Sequence, residues 1–327
     1  MRAFIHQDKE YRYVTDFPSQ AIGPFDVRVA LQAAGVNRRD LYIHDRRAGE
    51  DTPLVLGSDG AGIIIEIGEE VTRWKVGDRV LINPALRWFE ERPIPPEDFE
   101  ILGNPDHGTF AEEIVINEEQ VEEVLPHLSW EENAVIALAG MTGYRALMTK
   151  GQLKEGETVF IPGGSSGVAT FMIQLAKSKG ARVITTTRHE EKMREIRSFG
   201  ADIVLDTVSD WEAQLQEEEI DVVVDSVGSA TFHRSLHVLK RGGRIVTFGS
   251  STMDDVTFNI RTFFYNQQTI YGSTMGSREE LRALLRWMKE EKIHPVIDKV
   301  YPLSEAGQAL ERIQESGQVG KIALKIR

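Results

Sequence analysis

The spacing of hydrophobic and polar residues changes near residue 129. Before this point, short apolar runs alternate with polar turns, which predicts a β-rich segment. After it, continuous apolar runs are separated by helical patterns, which predicts a parallel sheet covered by helices on both faces. The runs of the first kind lie at residues 25–31, 60–68, 78–82 and 110–116, and those of the second kind at 203–206, 221–225, 244–248 and 269–273.

Residues 158–187 give the clearest single pattern. An apolar strand at 159–161 leads into a glycine-rich turn at 163–167, a helix over roughly 168–179 and a second strand at 182–186. This order is typical of a nucleotide-binding βαβ unit, in which the turn approaches a pyrophosphate and the helix start receives its charge. Of the three fingerprint positions only Gly164 is glycine, since Ser166 and Ala169 occupy the others.

Helix signals complete the outline of the chain. Ser129 and Glu132 form a capping box that opens a predicted helix through Ala139. Residues 84–108 contain five prolines and a run of acids, and they predict a long surface loop. The other predicted elements are helices at 231–239, 277–291 and 304–315, a strand between 293 and 304, and a strand at 322–326.

Composition excludes several classes of function. With 38 basic and 51 acidic residues the formal charge is −13, which argues against a sequence-independent nucleic-acid surface. The chain has no apolar run near 18 residues and no signal peptide, so we expect a cytoplasmic protein without a membrane partner. The absence of cysteine excludes disulfides, thiol catalysis and thiolate zinc sites.

Several short motifs follow one another in a recognisable order. They lie at residues 57–62, 76–80, 142–147, 221–227, 242–249 and 272–276. Together they resemble the medium-chain dehydrogenase/reductase superfamily over essentially the whole chain. The chain resembles a relative of the zinc-type alcohol dehydrogenases that has diverged toward the quinone oxidoreductases. The resemblance implies an α/β protein with a GroES-like β-barrel domain at 1–125 and 276–327, to which the C-terminal tail returns. It implies a Rossmann domain with a doubly wound parallel sheet at 126–275.

The zinc ligands of the superfamily are replaced in this chain. Members that use zinc have cysteine, histidine and cysteine where Asn37, Ser58 and roughly Leu138 stand here. These side chains cannot hold a tetrahedral zinc, so we expect no metal. An alternative metal site using His44 or His107 remains open, beside hydrogen-bonded roles for both histidines.

Loss of zinc changes the chemistry that the resemblance implies. Without a Lewis acid to stabilise an alkoxide, reduction of an electron-poor acceptor is favoured over alcohol oxidation. Asn37 and Tyr42 are then the candidate hydrogen-bond donors to the acceptor, Asp40 would hold their loop, and Thr142 would flank the nicotinamide. Purely structural roles for Asn37 and Tyr42 are the alternatives.

The end of the second strand of the βαβ unit determines the expected cofactor. An NAD site would place an acid there, whereas this chain has Thr187, Arg188 and, further on, Lys192. Both bases could clamp a 2′-phosphate, which favours NADPH, or could pair with Glu190 and Glu191. The cofactor-binding residues expected from the turn and the strand end are Gly163, Gly164, Ser165, Ser166, Gly167, Val168, Thr187, Arg188 and Lys192. The resemblance implies that Phe248, Gly249, Ser250, Gly272 and Ser273 flank the nicotinamide and that Arg38 and Lys321 approach the pyrophosphate.

The expected function is therefore an NADPH-dependent, zinc-independent oxidoreductase. It would transfer hydride to a quinone or to an activated α,β-unsaturated carbonyl compound, as a quinone oxidoreductase-like enzyme. An alcohol or aldehyde dehydrogenase-like reductase and a non-catalytic NADPH-binding sensor are the alternatives. The resemblance also implies a homodimer formed by edge pairing of the strand at 269–271.

Overall fold

A computed structural model describes residues 1–47 and 49–327. The chain divides into two compact units, Met1–Ala139 with Ser277–Arg327, and Gly140–Gly276. The first boundary therefore falls after Ala139 rather than after residue 125. The reason is that the helix Trp130–Asn133 contacts strands of the first unit. Among the residues described, no helix is long and apolar enough to cross a membrane.

The first unit begins with a series of mostly short strands. They are β1 (Ala3–Gln7), β2 (Glu10–Val14), β3 (Asp26–Val36), β4 (Leu54–Val55), β5 (Asp59–Ile67), β6 (Arg79–Ile82), β7 (Ala85–Leu86), β8 (Glu100–Ile101), β9 (Glu113–Asn117) and β10 (Val121–Glu123). Its helices are a 3₁₀ turn at Arg38–Tyr42, α1 (Ile43–Arg46), a 3₁₀ turn at Glu118–Gln120 and α2 (Trp130–Asn133). The helix α3 (Ala137–Tyr144) crosses into the second unit and is followed by a π-helix at Arg145–Lys150.

The second unit alternates strands and helices. They are β11 (Thr158–Ile161), α4 (Gly167–Ser178), β12 (Arg182–Thr187), α5 (Glu190–Ser198), β13 (Ile203–Asp206), α6 (Trp211–Gln214), β14 (Ile220–Asp225), α7 (Phe232–Val238), β15 (Leu239–Thr247), α8 (Ile260–Tyr265) and β16 (Thr269–Gly272). All strand pairs are parallel, in the order β13-β12-β11-β14-β15-β16. This is a doubly wound Rossmann-like sheet whose strand order reverses between β11 and β14.

The last segment returns to the first unit. It contains α9 (Arg278–Glu291), β17 (Ile297–Pro302), a 3₁₀ turn at Leu303–Glu305, α10 (Ala306–Gln314) and β18 (Lys321–Lys325). β18 pairs antiparallel with β3, and the sheet runs β10-β6-β5-β3-β18-β17 with β9 also on β3. The GroES-like unit is thus closed by the tail, as the resemblance implied.

The segment at residues 84–108 is more ordered than the proline content predicts. β7 and β8 pair within it, and the indole of Trp88 is fully buried and lies edge-on to Phe99 at a ring-centroid distance of 5.1 Å. The backbone carbonyl of Trp88 accepts a hydrogen bond from the N–H of Arg278. Part of this predicted surface loop is therefore a small folded lobe with an aromatic core.

Candidate active site

The glycine-rich turn after β11 is held against β12 by its backbone. Gly163 has a φ of +80°, which favours glycine, and its N–H donates to the Thr186 hydroxyl at 3.1 Å. The N–H of Gly164 donates to the Thr186 carbonyl at 2.8 Å. A Cβ added to Gly164 would lie 2.3 Å from the Thr185 hydroxyl oxygen, so this position excludes any side chain. The Ser166 hydroxyl then caps α4 by accepting the N–H of Ala169.

The turn lies at the point where the strand order of the sheet reverses. A Cβ built on Gly163 would be 3.6 Å from Val227, in the loop that follows β14. That loop is anchored by Asp225, whose buried carboxylate accepts the N–H groups of Val227 and Gly228 and the hydroxyl of Thr231. Ligands of doubly wound sheets bind at such a crevice, at the carboxyl ends of the strands. We did not predict the anchoring role of Asp225 from the sequence, because an acid that ends a strand carries no distinctive signal.

The carboxyl ends of β15 and β16 provide space and an unused polar group. A Cβ on Gly272 would meet no atom within 4 Å, and one on Gly249 would meet only Ser226, at 3.9 Å or more. The Ser273 N–H donates to the Thr247 carbonyl, while the buried Ser273 hydroxyl has no hydrogen-bond partner among the residues described. Open backbone beside an unsatisfied hydroxyl fits a polar ligand such as a dinucleotide. The expected residues Phe248 and Ser250 follow β15 directly.

The end of β12 carries no acid. Thr187 is buried, Arg188 is exposed, and Lys192 is buried in the first turn of α5. The carboxylate of Glu191 lies 3.4 Å from His189, and in the described part of the chain no carboxylate lies within ion-pair distance of Arg188. The Arg188 guanidinium is therefore available to an anion, and its pairing with Glu190 or Glu191, our alternative, is not seen.

In the first unit, Asp59 is the centre of a buried polar network. Its Oδ1 accepts the backbone N–H of Leu138 at 2.8 Å, and its Oδ2 accepts the Asn37 amide at 2.9 Å. The Lys321 ammonium lies 3.7 Å from the same Oδ2. Burial raises the pKa of the Asp59 carboxyl and lowers the pKa of the Lys321 ammonium. Each group opposes the shift of the other because they form an ion pair.

Lys321 and Asn37 bind each other. The Lys321 ammonium donates to the Asn37 side-chain oxygen and to the Val36 carbonyl, the latter at 3.0 Å. The resemblance implied that Lys321 contacts the pyrophosphate. In the structure its ammonium is instead buried and bonded to groups of the first unit. The expected donor role of Asn37 differs as well, because its amide nitrogen is directed at Asp59 and, at 3.4 Å, at the Gly35 carbonyl.

Asp40 fixes the turn that follows Asn37. Its Oδ2 accepts the Asn37 N–H at 2.8 Å and completes a capping box on the 3₁₀ turn. Its Oδ1 is buried without a partner among the residues described. Burial raises the pKa of the Asp40 carboxyl to about 6, although the charge of Arg39 opposes the shift. Tyr11, which we did not predict, holds the same turn: its hydroxyl donates to the Asp40 carbonyl at 3.3 Å and accepts the N–H of His44, in the helix that follows, at 3.1 Å.

Ser58 belongs to a separate hydrogen-bond set beside Asp59. Its hydroxyl donates to the Leu102 carbonyl at 2.7 Å and accepts from Arg39 at 2.6 Å. An amide, a hydroxyl that is already bound and a leucine therefore stand at the three positions of the zinc ligands. This donor set does not fit a tetrahedral zinc ion. Over residues 1–47 and 49–327, no group of three or more His, Asp or Glu side chains is placed to hold a metal.

The two histidines considered as metal ligands are hydrogen-bonded. His44 Nδ1 lies 3.4 Å from His6 Nε2, and His107 Nδ1 accepts the N–H of Val55 at 3.1 Å. Burial lowers the pKa of His107 and of His6. The structure agrees with the hydrogen-bonded alternative for both residues.

The remaining predicted residues differ in exposure. The Tyr42 ring is 42% exposed at the end of the 3₁₀ turn. Arg38 is exposed at the start of that turn, with its guanidinium 3.5 Å from the Ser316 hydroxyl. Thr142 is buried in α3 of the second unit. Of the predicted catalytic residues in the first unit, Tyr42 is exposed, whereas Asn37 and Asp40 are buried.

The fold and this site define a two-domain α/β protein with a GroES-like unit and a Rossmann-like unit. Residues 23–126 match the alcohol dehydrogenase GroES-like domain, and residues 167–290 match the zinc-binding dehydrogenase family. The acryloyl-coenzyme A reductase of Metallosphaera sedula is 31% identical over 97% of this chain and 96% of its own length.

Two solved structures are similar over nearly the whole chain. An NAD-dependent alcohol dehydrogenase has a TM-score of 0.92 and 33% identity, with 100% of both chains covered. The 2-octenoyl-CoA carboxylase reductase in complex with NADP and 2-octenoyl-CoA has a TM-score of 0.88 and 28% identity, covering 99% of this chain and 87% of its own. The chain belongs to the medium-chain dehydrogenase/reductase superfamily, and it is an oxidoreductase of that superfamily.

Proposed function

We propose that this chain is an NADPH-dependent, zinc-independent reductase of activated carbonyl compounds. The observation that carries the proposal is the occupation of the three zinc-ligand positions by Asn37, Ser58 and Leu138, each of which is tied to Asp59 or to its neighbours. Such a site has no Lewis acid to stabilise an alkoxide, whereas an acceptor with a conjugated double bond needs only hydrogen-bond donors.

The substrate class is an α,β-unsaturated carbonyl compound or a quinone. Enoyl thioesters are the first candidates, because the printed names of two similar proteins refer to acryloyl-coenzyme A and 2-octenoyl-CoA. NADPH would supply the hydride, and negative charge would develop on the acceptor oxygen. The hydroxyl of Tyr42, an exposed residue, is the candidate donor to that oxygen, while Asn37 and Asp40 hold the turn that carries it.

The second unit would bind NADPH along the carboxyl edge of its sheet. The turn at residues 163–168 would receive the pyrophosphate, and Arg188 with Lys192 would recognise the 2′-phosphate. Ser273, whose hydroxyl has no hydrogen-bond partner among residues 1–47 and 49–327, is the candidate donor at the nicotinamide end. A cytoplasmic location remains a prediction.

The test is NADPH oxidation with a panel of acceptors. Crotonyl-CoA and a benzoquinone serve as activated acceptors, and a saturated aldehyde serves as the control. Turnover of either activated compound, undiminished by exhaustive dialysis against a chelator, supports the proposal. Activity that a chelator abolishes and zinc restores would contradict it.

One alternative rests on a specific observation. The similar structure with 33% identity is described as an NAD-dependent alcohol dehydrogenase, so alcohol or aldehyde turnover with NADH is the competing result. The non-catalytic sensor that we considered from the sequence would bind NADPH tightly and oxidise it with no acceptor on the panel.

We also propose that the chain forms a homodimer through the free edge of its parallel sheet. β16 is the last strand in the sheet order, and exposed apolar side chains on and near it would be covered in a dimer. They are Ile260, Phe264, Tyr265 and Tyr271.

A further inference from the structure

Lys321 is buried although it begins a strand. It is the first residue of β18, and its side chain is only 4% exposed. β18 pairs antiparallel with β3 so that Ile322 stands opposite Val36. This register brings Lys321 beside Asn37, although 284 positions separate the two residues in sequence.

The ammonium is held by three groups from one small region. It donates to the Val36 carbonyl and to the Asn37 side-chain oxygen, and it lies 3.7 Å from Asp59. The same arrangement fixes the orientation of the Asn37 amide, because its oxygen faces the cation while its nitrogen faces the Asp59 carboxylate. A buried cation persists only when it is paired and hydrogen-bonded in this way.

Two buried carboxylates near Lys321 would have too little positive charge beside them if its ammonium were removed. Asp59 and Asp40 are both fully buried, and Arg39 is a second cation near them. The charge of Lys321 opposes the effect of burial on both carboxyl pKa values.

We propose that Lys321 is a positioning residue that acts through Asn37, and that its ammonium is a fixed internal cation of the Asp59 network. It pairs with Asp59 and fixes the orientation of the Asn37 amide, and through Asn37 it sets the turn that ends at Tyr42. The inference rests on the proposed function for its kinetic consequences. It assigns Lys321 a role distinct from binding the pyrophosphate.

The decisive experiment compares cofactor affinity with turnover. We expect Lys321→Met to lower kcat about tenfold or more while the Kd for NADPH changes by less than about twofold. Lys321→Arg should recover most of the lost kcat, since arginine keeps the charge. Lys325→Met, on the exposed end of the same strand, is the matched control and should behave as the unmodified chain.

A double-mutant cycle tests whether Lys321 works through Asn37. Asn37→Ala should also lower kcat, and adding Lys321→Met to it should change kcat by less than about twofold. Independent, multiplying losses would overturn the proposal. So would a rise of about tenfold in the Kd for NADPH on Lys321→Met, because that result would restore the pyrophosphate contact.

Unfolding measurements test the ion pair between Lys321 and Asp59 independently of catalytic activity. Lys321→Met should lower the thermal midpoint, and the double variant Lys321→Met/Asp59→Asn should recover part of the loss, because it leaves no unpaired charge. If neutralising Asp59 gives no recovery, Lys321 is not its counter-ion. If the unmodified chain reduces no acceptor, the proposed function fails, while these midpoints still decide the pairing.

Discussion

At the scale of single residues, the first unit concentrates ionisable groups in its buried interior. Asp40 and Asp59 are fully buried, and the turn between Asn37 and Tyr42 depends on both of them through Asn37. Burial of this kind costs stability unless each charge has a partner. Because Asp59 has the Lys321 ammonium whereas one oxygen of Asp40 has no partner in the described part of the chain, the two carboxylates should respond differently to pH.

The first prediction concerns the pH dependence of stability. The folded pKa of Asp40, about 6, lies above its ordinary value of 3.8, so the folded chain holds this proton more tightly than the unfolded chain does. The stabilisation of the folded chain by the protonated Asp40 carboxyl is complete below pH 3.8 and is lost as the pH rises through about 6. Between pH 3.8 and about 6, the free energy of unfolding of Asp40→Asn should therefore rise by about 3 kcal/mol relative to that of the unmodified chain. Urea unfolding followed across the range measures the difference, and parallel stability curves would contradict it.

The second prediction concerns Tyr42. Tyr42→Phe should lower kcat/KM about tenfold to a hundredfold, because the hydroxyl matters as charge develops on the acceptor. The Kd for NADPH should stay unchanged. Tyr13→Phe, in β2, is the matched control. An unchanged kcat/KM for Tyr42→Phe would remove this hydroxyl from the chemistry.

At the scale of elements, local signals account for what could be predicted. α4 begins where Ser166 caps it, and α2 begins at the capping box of Ser129 and Glu132, because these signals act over three residues. The predicted helix from Ser129 ends early, at Asn133, and a new helix begins at Ala137. β1 and β2 were not predicted, because their sequences lack a strong apolar pattern. They form strands because β1 pairs with β2 and with β4.

Contacts between distant segments explain what the sequence did not reveal. Trp88 becomes buried because a small lobe folds around it, and Lys321 becomes buried because β18 pairs with β3. The sequence spacing of these residues gives no sign of either event. The candidate site was therefore predicted as a set of positions, whereas the roles of Asn37 and Lys321 emerged only from the side-chain contacts.

The third prediction concerns Arg188, which follows β12, and the choice of cofactor. Arg188→Ala should weaken NADPH binding by about 1.5–3 kcal/mol, the range for a hydrogen bond to a charged group, and leave NADH binding nearly unchanged. Arg194→Ala, on the exposed face of α5, is the matched control. Titration with both cofactors measures the effect. Equal affinity of the unmodified chain for NADPH and NADH would refute the 2′-phosphate assignment.

At the scale of the whole molecule, each unit has its own hydrophobic core. The first core gathers side chains from strands early in the chain and from the returning tail, such as Leu31, Ile64 and Leu324. The second is formed by the parallel sheet and its helices, with Phe160 lying edge-on to Trp211. The tail therefore stabilises the first unit by completing both its sheet and its core.

The last prediction concerns assembly. If β16 pairs with its counterpart in a second copy, the chain should sediment at twice its mass of 36.8 kDa. The double variant Phe264→Glu/Tyr271→Lys places charges on the apolar surface beside that edge and should sediment as a monomer, because charged side chains oppose edge pairing. Ile94→Lys alters a still more exposed apolar residue in the first unit and should leave the dimer intact. Sedimentation velocity of the three proteins at matched concentration separates these outcomes. A monomeric unmodified chain, or a double variant that stays dimeric, would show that this edge is not the interface.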